Sequence, residues 1–480
     1  MAPTDTGRRM PDIIGIRGLV ADSGAPSKPK SGPAVRFSSG PAIRAIDTAR
    51  CNTAKLPFYT VPSRLPIVTI VRCWQTLAMA KLRFMAGFAA HMALGLGAAS
   101  LAQAQPALYV NPNSTTLAAA ERLDGEARRD ALALGRIPTA TWFSDGTPDE
   151  VERQVASLVD AAAAQNALPV LVAYNIPGRD CALYSAGGAA GSNAYRAWIE
   201  GFAAGIGERA AIVVLEPDSL GAIPWHRTLD GELEHCQPGN SANNDAAATR
   251  FAQLSTAVEI LATLPNVRIY LDGTGSGWLA PGEAANRLIR ANVARADGYF
   301  LNVSNFESDL RLLHYARWIS DCLALVTGGE TDPRTCPSQY HPADFADSSS
   351  WTATDAAYDA LFARAGIARA PASQKHAIID TSRNGTGSWD PPANTYSDAE
   401  IWCNPPGRGL GRRPALDTGN PYVDAYLWIK IPGESDGECY RGTGGPTDPA
   451  RGIAAPRAGG WFPVQARELI RNAVPPLIRD

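Results

Sequence analysis

The things this 480-residue sequence has little of already narrow its chemistry. There are 6 histidines, and the 8 cysteines include no Cys-x-x-Cys pair, so the ligand spacings of a zinc site are missing. No long stretch is free of both charge and Gly/Pro breaks, which leaves no membrane span. No Gly-rich dinucleotide fingerprint follows the first strand-like run, which weakens a cofactor-binding reading, and no cofactor is expected. Internal repeats and a Pro/Thr/Ser linker to an appended module are also missing. The net charge is −3, but it is unevenly spread: residues 1–104 carry 13 Lys/Arg against 4 Asp/Glu, and the remainder carries 31 against 43. An acidic body with no basic run to track phosphates argues against nucleic acid and fits a soluble protein acting on a neutral substrate.

The basic leader contains its own signal. From Met79 the chain reads MAKLRFMAGFAAHMALGLGAASLAQAQ, with Lys81 and Arg83 as a positive start, a mostly apolar stretch from Phe84 to Leu101, and Ala102-Gln103-Ala104 as a small-residue cleavage site. Export machinery reads such a segment close to a true N-terminus. The expectation is a signal peptide over 79–104, translation starting at Met79, and residues 1–78 as a mis-called extension; a Pro/Ser/Arg-rich disordered arm is the alternative. The mature chain would begin at Gln105, be secreted to the extracellular or periplasmic space, and touch no membrane after cleavage. Six cysteines remain beyond the leader, and an even count in an exported protein suggests disulfides.

The body, 105–480, reads as one catalytic domain. Seven short apolar runs have strand character: 138–143, 168–174, 211–216, 267–272, 298–303, 376–380 and 424–430. They are continuous rather than alternating, as in strands buried on both faces of a parallel sheet. Helical patterns lie between them, over about 148–165, 192–206, 244–263, 282–295, 352–366 and 463–473; the first opens on the capping box Thr147-Pro148-Asp149-Glu150. Strand–helix alternation of this kind predicts α/β architecture, a distorted seven-stranded parallel β/α barrel that is closed or nearly so. A polar or aromatic residue stands at or just past the end of every run: Trp142, Tyr174, Asp218, Asp272, Asn302 and Asn305, Asp380, Lys430. In parallel barrels the loops leaving that end converge on the active site. Any one of these residues alone is as well explained by a helix cap or a turn.

Two segments carry most of the chemical signal, YNIPGRDCA (174–182) and VLEPDSLGAI (214–223), each with an Asp in the loop after an apolar strand. Together with YLDGTGSGWL (270–279), LNVSNF (301–306), IIDTSRNG (378–385), WCNPPGRGLG (402–411) and LWIKIPGESDGEC (427–439), they resemble the signature regions of glycoside hydrolase family 6, the cellulases and cellobiohydrolases, in family order from about Tyr109 to the C-terminus.

That resemblance implies an inverting β-1,4-glucanase working on cellulose or related chains as a monomer. Glycoside cleavage needs an acid for the leaving oxygen and a means of activating water on the opposite face of the sugar. The resemblance makes Asp218 the acid and Asp180 the neighbour that keeps it protonated. Asp436 matches the base position, but Arg383 and Lys430 match residues that would depress its pKa and weaken it. The alternative is a water relay held by Ser185 and Asp180. Tyr174 would sit under the ring at the cleavage point. Trp142, Trp278 and Trp402 match sugar platforms, Asn305, Lys430 and Glu434 match hydroxyl-binding positions, and Asp272 is grouped with the substrate-binding set. Trp225 and Trp351 read as structural. Gly275 departs from the family, which commonly carries a His there. The same resemblance supports pairing the cysteines in chain order: Cys181–Cys236, Cys403–Cys439 and, within a segment 307–373 that has no family counterpart, Cys322–Cys336.

Loop length separates internal cutting from chain-end cutting. The segment from Asp436 to Trp461 is intermediate. The wording of WCNPPGRGLG and IKIPGESDGEC resembles bacterial endoglucanases, whereas APRAGGWFPVQARELI leans toward the other class. Endoglucanase is the reading adopted, with cellobiohydrolase as its rival and a non-catalytic carbohydrate-binding protein as a rival of another class.

Overall fold

The computed structural model describes residues 105–478 except 240–242, 244 and 330. The expected extension and signal peptide, 1–104, lie outside the described residues. After a two-residue strand, Ala107–Leu108, which pairs in parallel with Ala167–Leu168, the chain builds two short helices, α1 (Thr115–Ala120) and α2 (Gly125–Gly135). It then alternates β1 (Thr141–Phe143), α3 (Pro148–Ala163), β2 (Val170–Ala173), α4 (Ser192–Ile206), β3 (Ala211–Leu215), α5 (Ala246–Leu261) and β4 (Val267–Asp272). The second half runs α6 (Pro281–Arg290), β5 (Gly298–Leu301), α7 (Asp309–Thr327), α8 (Thr352–Ala365), β6 (His376–Asp380), β7 (Val423–Leu427) and α9 (Pro463–Arg471).

The local chemistry of these elements follows the sequence. α3 opens where Thr147 Oγ1 accepts from the Glu150 N–H at 3.3 Å while the Glu150 carboxylate accepts from the Thr147 N–H at 2.8 Å, with Pro148 at the first helical position. The seven strands pair in parallel and in sequence order, β1 to β7. Their side chains alternate between two apolar layers. Leu171, Val213, Leu271, Leu301 and Ile379 face the surrounding helices, and Val172, Val214, Tyr270, Phe300, Ile378 and Leu427 fill the inside of the curl. Burial on both faces is why the runs are apolar throughout.

The curl stops short of a laddered barrel. β1 and β7 are the edges of the sheet, joined where the Ala140 N–H donates to Trp428 O at 2.9 Å and the Trp142 indole donates to Ile429 O at 2.8 Å. A small cluster of Leu134, Leu410, Trp428, Leu469 and Ile470 packs α2 against α9 beside the residues leading into β1 and out of β7. Arg467 of α9 ties this packing to α2 through Glu126 (2.8 Å) and Asp130 (3.1 Å).

Among the described residues there are three disulfides, Cys181–Cys236, Cys322–Cys336 and Cys403–Cys439. The first joins the loops after β2 and β3, and the third joins the loops after β6 and β7. α7 was not anticipated from sequence. It occupies the first part of the 307–373 segment and buries Trp318, whose indole donates to Asp355 of α8 at 2.7 Å. Trp351 is fully buried, as its structural reading requires.

Candidate active site

The carboxyl-terminal ends of the strands are stitched together by buried carboxylates. Glu216, just past β3, accepts from the Asn175 and Ile176 N–H groups after β2, both at 3.0 Å. Asp272, ending β4, accepts from Leu220 (3.0 Å) and Gly221 (3.1 Å) in the loop after β3, and from Thr274 (2.8 Å) in its own. Asp380, ending β6, accepts from Lys430 (3.0 Å) after β7, Ser304 (3.2 Å) after β5 and Ser382 (2.9 Å). Each clasp satisfies loop N–H groups that would otherwise be buried unpaired, and it fixes one loop against the next strand. Asp272 is buried, and both of its oxygens accept from backbone N–H groups, which fixes the loop after β3 against the end of β4.

The loops held in this way carry the candidate residues to one mouth. Asp218 is half-buried and has a left-handed backbone (φ 64°), a conformation shared by the fully buried Glu216 (φ 55°) and by Asp180 (φ 58°). Such conformations cost about 1–3 kcal/mol each in non-glycine residues and persist where the surroundings enforce them. Burial pushes the Asp218 carboxyl well above the usual carboxylate range; the charges of Asp272, Asp180 and Asp436 push it further, and Lys430 opposes them. Asp180 is raised to about 6 by burial, against the Ser185 N–H that donates to its Oδ2 at 2.5 Å and the nearby Arg179. Arg179 pins the same loop by donating to Ser185 O (2.9 Å) and Tyr174 O (2.7 Å).

Asp436 has the opposite character. Arg383 meets it at 2.8 Å, Lys430 at 3.4 Å, and the Asn404 N–H donates to it at 2.9 Å. Burial alone would raise its pKa, but the two cations and these hydrogen bonds outweigh burial and hold it below the usual range. The mouth therefore contains one carboxyl set to keep its proton and one set to lose it.

Aromatic rings border these groups. Tyr174 is buried, edge-on to Trp142 with centroids 5.3 Å apart, and close enough to Asp218 and Asp180 for both to raise its hydroxyl pKa beyond the effect of burial. Trp278 is 36 % exposed and lies over Gly221, three residues beyond Asp218: a Cβ at Gly221 would meet the indole at 2.5 Å. Trp402 packs on Tyr184 of the Asp180 loop at 5.9 Å. Tyr184 in turn donates to Glu400 at 2.8 Å and accepts from the Tyr440 N–H at 3.1 Å, and it fits against Gly437, next to Asp436. It links the loop after β2 to the loops around β7, a role the sequence did not reveal. Glu434 is buried and accepts from the Thr115 hydroxyl, while Lys430 Nζ donates to Ser435 O at 3.2 Å. Asn305 is half-buried, with its amide donating to Val303 O at 3.2 Å. At Gly275 an added Cβ would meet nothing within 4 Å.

A parallel α/β half-barrel whose mouth sets a carboxyl of raised pKa among other carboxylates and tryptophan rings defines a glycoside hydrolase that handles sugar chains. Comparison with known proteins gives the particular family. The family model for glycosyl hydrolases family 6 matches residues 103–473, and the chain belongs to that family. It is 32 % identical to endoglucanase A of Thermobispora bispora over 408 residues, 82 % of this chain and 70 % of that protein. A probable 1,4-beta-D-glucan cellobiohydrolase C of Aspergillus fumigatus is 28 % identical over 399 residues, 77 % of each chain. Among solved structures, the endoglucanase Cel6 of Mycobacterium tuberculosis, bound to a thio-linked cellobioside, superposes with a TM-score of 0.56 at 31 % identity, covering 77 % of this chain and 98 % of that one. The protein is a glycoside hydrolase of the cellulase type.

Proposed function

We propose that the protein is a secreted, monomeric endo-β-1,4-glucanase that cleaves cellulose chains with inversion, using Asp218 as general acid. The observation that carries the reading is the setting of Asp218: burial and the charges of Asp272, Asp180 and Asp436 push its carboxyl well above the usual carboxylate range, beside an indole at Trp278. A glucan lying across Trp142, Trp278 and Trp402, its hydroxyls met by Asn305, Lys430 and Glu434, would present its glycosidic oxygen to Asp218 over Tyr174. Proton transfer to that oxygen breaks the bond to C1, and water attacking C1 from the opposite face yields the α-anomer.

The water must lose a proton in the same step. Asp436 is a standing anion, but its two cations make it a weak acceptor; Asp180 and Ser185, already joined, offer the other route through a water relay. Deleting Asp436 and adding azide separates the routes. Restored turnover with a glycosyl azide product supports Asp436 as base, and undiminished activity without azide supports the relay.

Endo action is favoured over the cellobiohydrolase reading by the higher identity to the endoglucanase and by the exposed Trp278. The test is product analysis on cellohexaose with anomer detection, combined with viscosity loss on carboxymethylcellulose. α-Anomers and a rapid viscosity drop support the proposal. β-Anomers overturn inversion, and a slow drop with cellobiose as sole product overturns endo action. Retained activity in Asp218→Ala overturns the acid, and binding without any cleavage would favour the carbohydrate-binding rival. Export is supported by the three disulfides. Mass spectrometry of the secreted protein should find an N-terminus at Gln105, after translation from Met79, whereas one upstream of Met79 overturns the signal peptide at 79–104.

A further inference from the structure

The 307–373 segment reaches the edge of the mouth. Gln339, fully buried, donates from Nε2 to the carbonyls of Ser276 and Leu279, both at 2.9 Å, bracketing Trp278 along the chain. The Tyr315 hydroxyl on α7 adds a third bond to Leu279 O at 2.8 Å. The residue after Gln339 is Tyr340, which is 52 % exposed and stacked on Phe345 with centroids 5.4 Å apart and planes at 27°. Phe345 touches the same turn, since a Cβ at Gly277 would lie 3.8 Å from its ring.

The stack is supported from behind. The Arg311 guanidinium sits 4.5 Å from the Phe345 ring centre and donates to Phe345 O at 3.0 Å, and buried Trp351 lies at 6.3 Å. The Cys322–Cys336 disulfide anchors the start of the 336–345 stretch to α7. Singly exposed aromatic residues are ordinary on protein surfaces. Tyr340 differs in being held by packing from beneath and tied by its neighbour to the turn that presents Trp278.

We propose that Tyr340 is an additional stacking platform for glucan, next along the chain path from Trp278, which binds a further sugar unit of long substrates. Glucose offers an apolar face at each ring, and an aromatic surface fixed in place takes it without first being ordered. The turn 273–279 places Trp278 against the Asp218 loop and Gly277 against Phe345, so one turn is linked to both rings. The inference rests on the β-1,4-glucanase reading and extends it: the 307–373 segment lengthens the cleft.

The test compares wild type with Tyr340→Ala and Tyr340→Phe on cellotriose, cellohexaose and longer soluble cello-oligosaccharides. In Tyr340→Ala the preference for the long over the short substrates, as a ratio of kcat/KM, should fall roughly three- to tenfold, the range an aromatic contact supplies. Tyr340→Phe, which keeps the stacking face, should stay near wild type. Calorimetric titration of cellohexaose and cellobiose into Asp218→Ala, with and without Tyr340→Ala, reads the same preference without turnover. If Tyr340→Ala reduces the chain-length preference in binding while the wild-type enzyme cleaves no β-1,4-glucan, the activity reading fails and the platform stands. An unchanged ratio in both assays, or a loss in Tyr340→Phe equal to that in Tyr340→Ala, overturns the platform while leaving the glucanase reading intact.

Discussion

Carboxyl groups of one residue type take three different roles in this mouth, and the surroundings of each oxygen decide which. Asp218 holds its proton more tightly than an ordinary carboxyl because burial and three neighbouring carboxylates penalise its anion. Asp436 loses its proton because Arg383 and Lys430 repay the burial. Asp272, raised to about 6 by burial, has its oxygens taken up by loop N–H groups. The sign of the coupling yields a test. Above about pH 6 Asp180 is itself charged, and that charge raises Asp218. Asp180→Asn removes the charge, so the alkaline limb of kcat/KM, where Asp218 deprotonates, should move down by about one pH unit. A limb that stays in place or moves up would show that the two carboxyls do not interact. A second residue-scale outcome concerns Gly221. An alanine there places its Cβ within 2.5 Å of the Trp278 indole, so Gly221→Ala should displace the platform and raise KM for soluble glucans several-fold. The thermal midpoint should change little, because Trp278 is half in solvent and can yield.

At the scale of elements, the repeated unit is a strand ending in a carboxylate that grips the neighbouring loop: β3 through Glu216, β4 through Asp272 and β6 through Asp380. The seven strands were legible because burial on both faces leaves an unbroken apolar run, and the helices flanking them were legible where one face meets solvent, as in α3 and α4. α7 was not anticipated: its polar side, Arg311, His314, Arg317 and Asp321, does not face open solvent but is covered by the 333–351 loop and by α8, where His314 meets Asp355 and Arg317 meets Asp359, while Leu312, Tyr315, Trp318, Ile319 and Leu323 are buried. The positions of Asp180, Asp218 and Asp436 were legible through their motifs. The clasp role of Glu216 was hidden, because its partners, Asn175 and Ile176, lie about 40 residues away and only folding brings them together. Tyr340 carried no motif at all. The disulfide in this unanticipated segment gives an element-scale prediction. Cys322 and Cys336 close a short loop, so Cys322→Ser/Cys336→Ser should destabilise the fold by about 3 kcal/mol, read by denaturant unfolding. The chain-length preference assigned to Tyr340 should fall with it, while hydrolysis of short substrates is retained. Equal loss on all substrates would tie this segment to the whole fold rather than to the outer cleft.

For the whole molecule, gathering carboxylates at one end of a half-barrel makes stability depend on pH in a direction that can be worked out. Burial raises Glu216 from 4.5 to about 7 and Asp272 and Asp180 from 3.8 to about 6. A carboxyl raised on folding contributes stability that is fully present below its unfolded pKa and lost as pH climbs through the folded value. Asp436 and Glu283 act the other way. Burial would raise each, but ion pairs and hydrogen bonds outweigh it and bring Glu283 to about 2, so their contribution is present above the unfolded range and lost on strong acidification. The two sets bracket a maximum near pH 4–5, with a decline toward neutrality. Calorimetric scans from pH 5 to 8 should show the midpoint falling by roughly 5 °C, and Glu216→Gln, which cannot titrate, should flatten that slope whatever it does to the midpoint itself. A midpoint that rises steadily to pH 8 would mean that the clasps are ionised without penalty. The stitched mouth would then owe its order to the packed loops and disulfides alone, and the strained backbone at Glu216, Asp218 and Asp180 would need support from those loops instead.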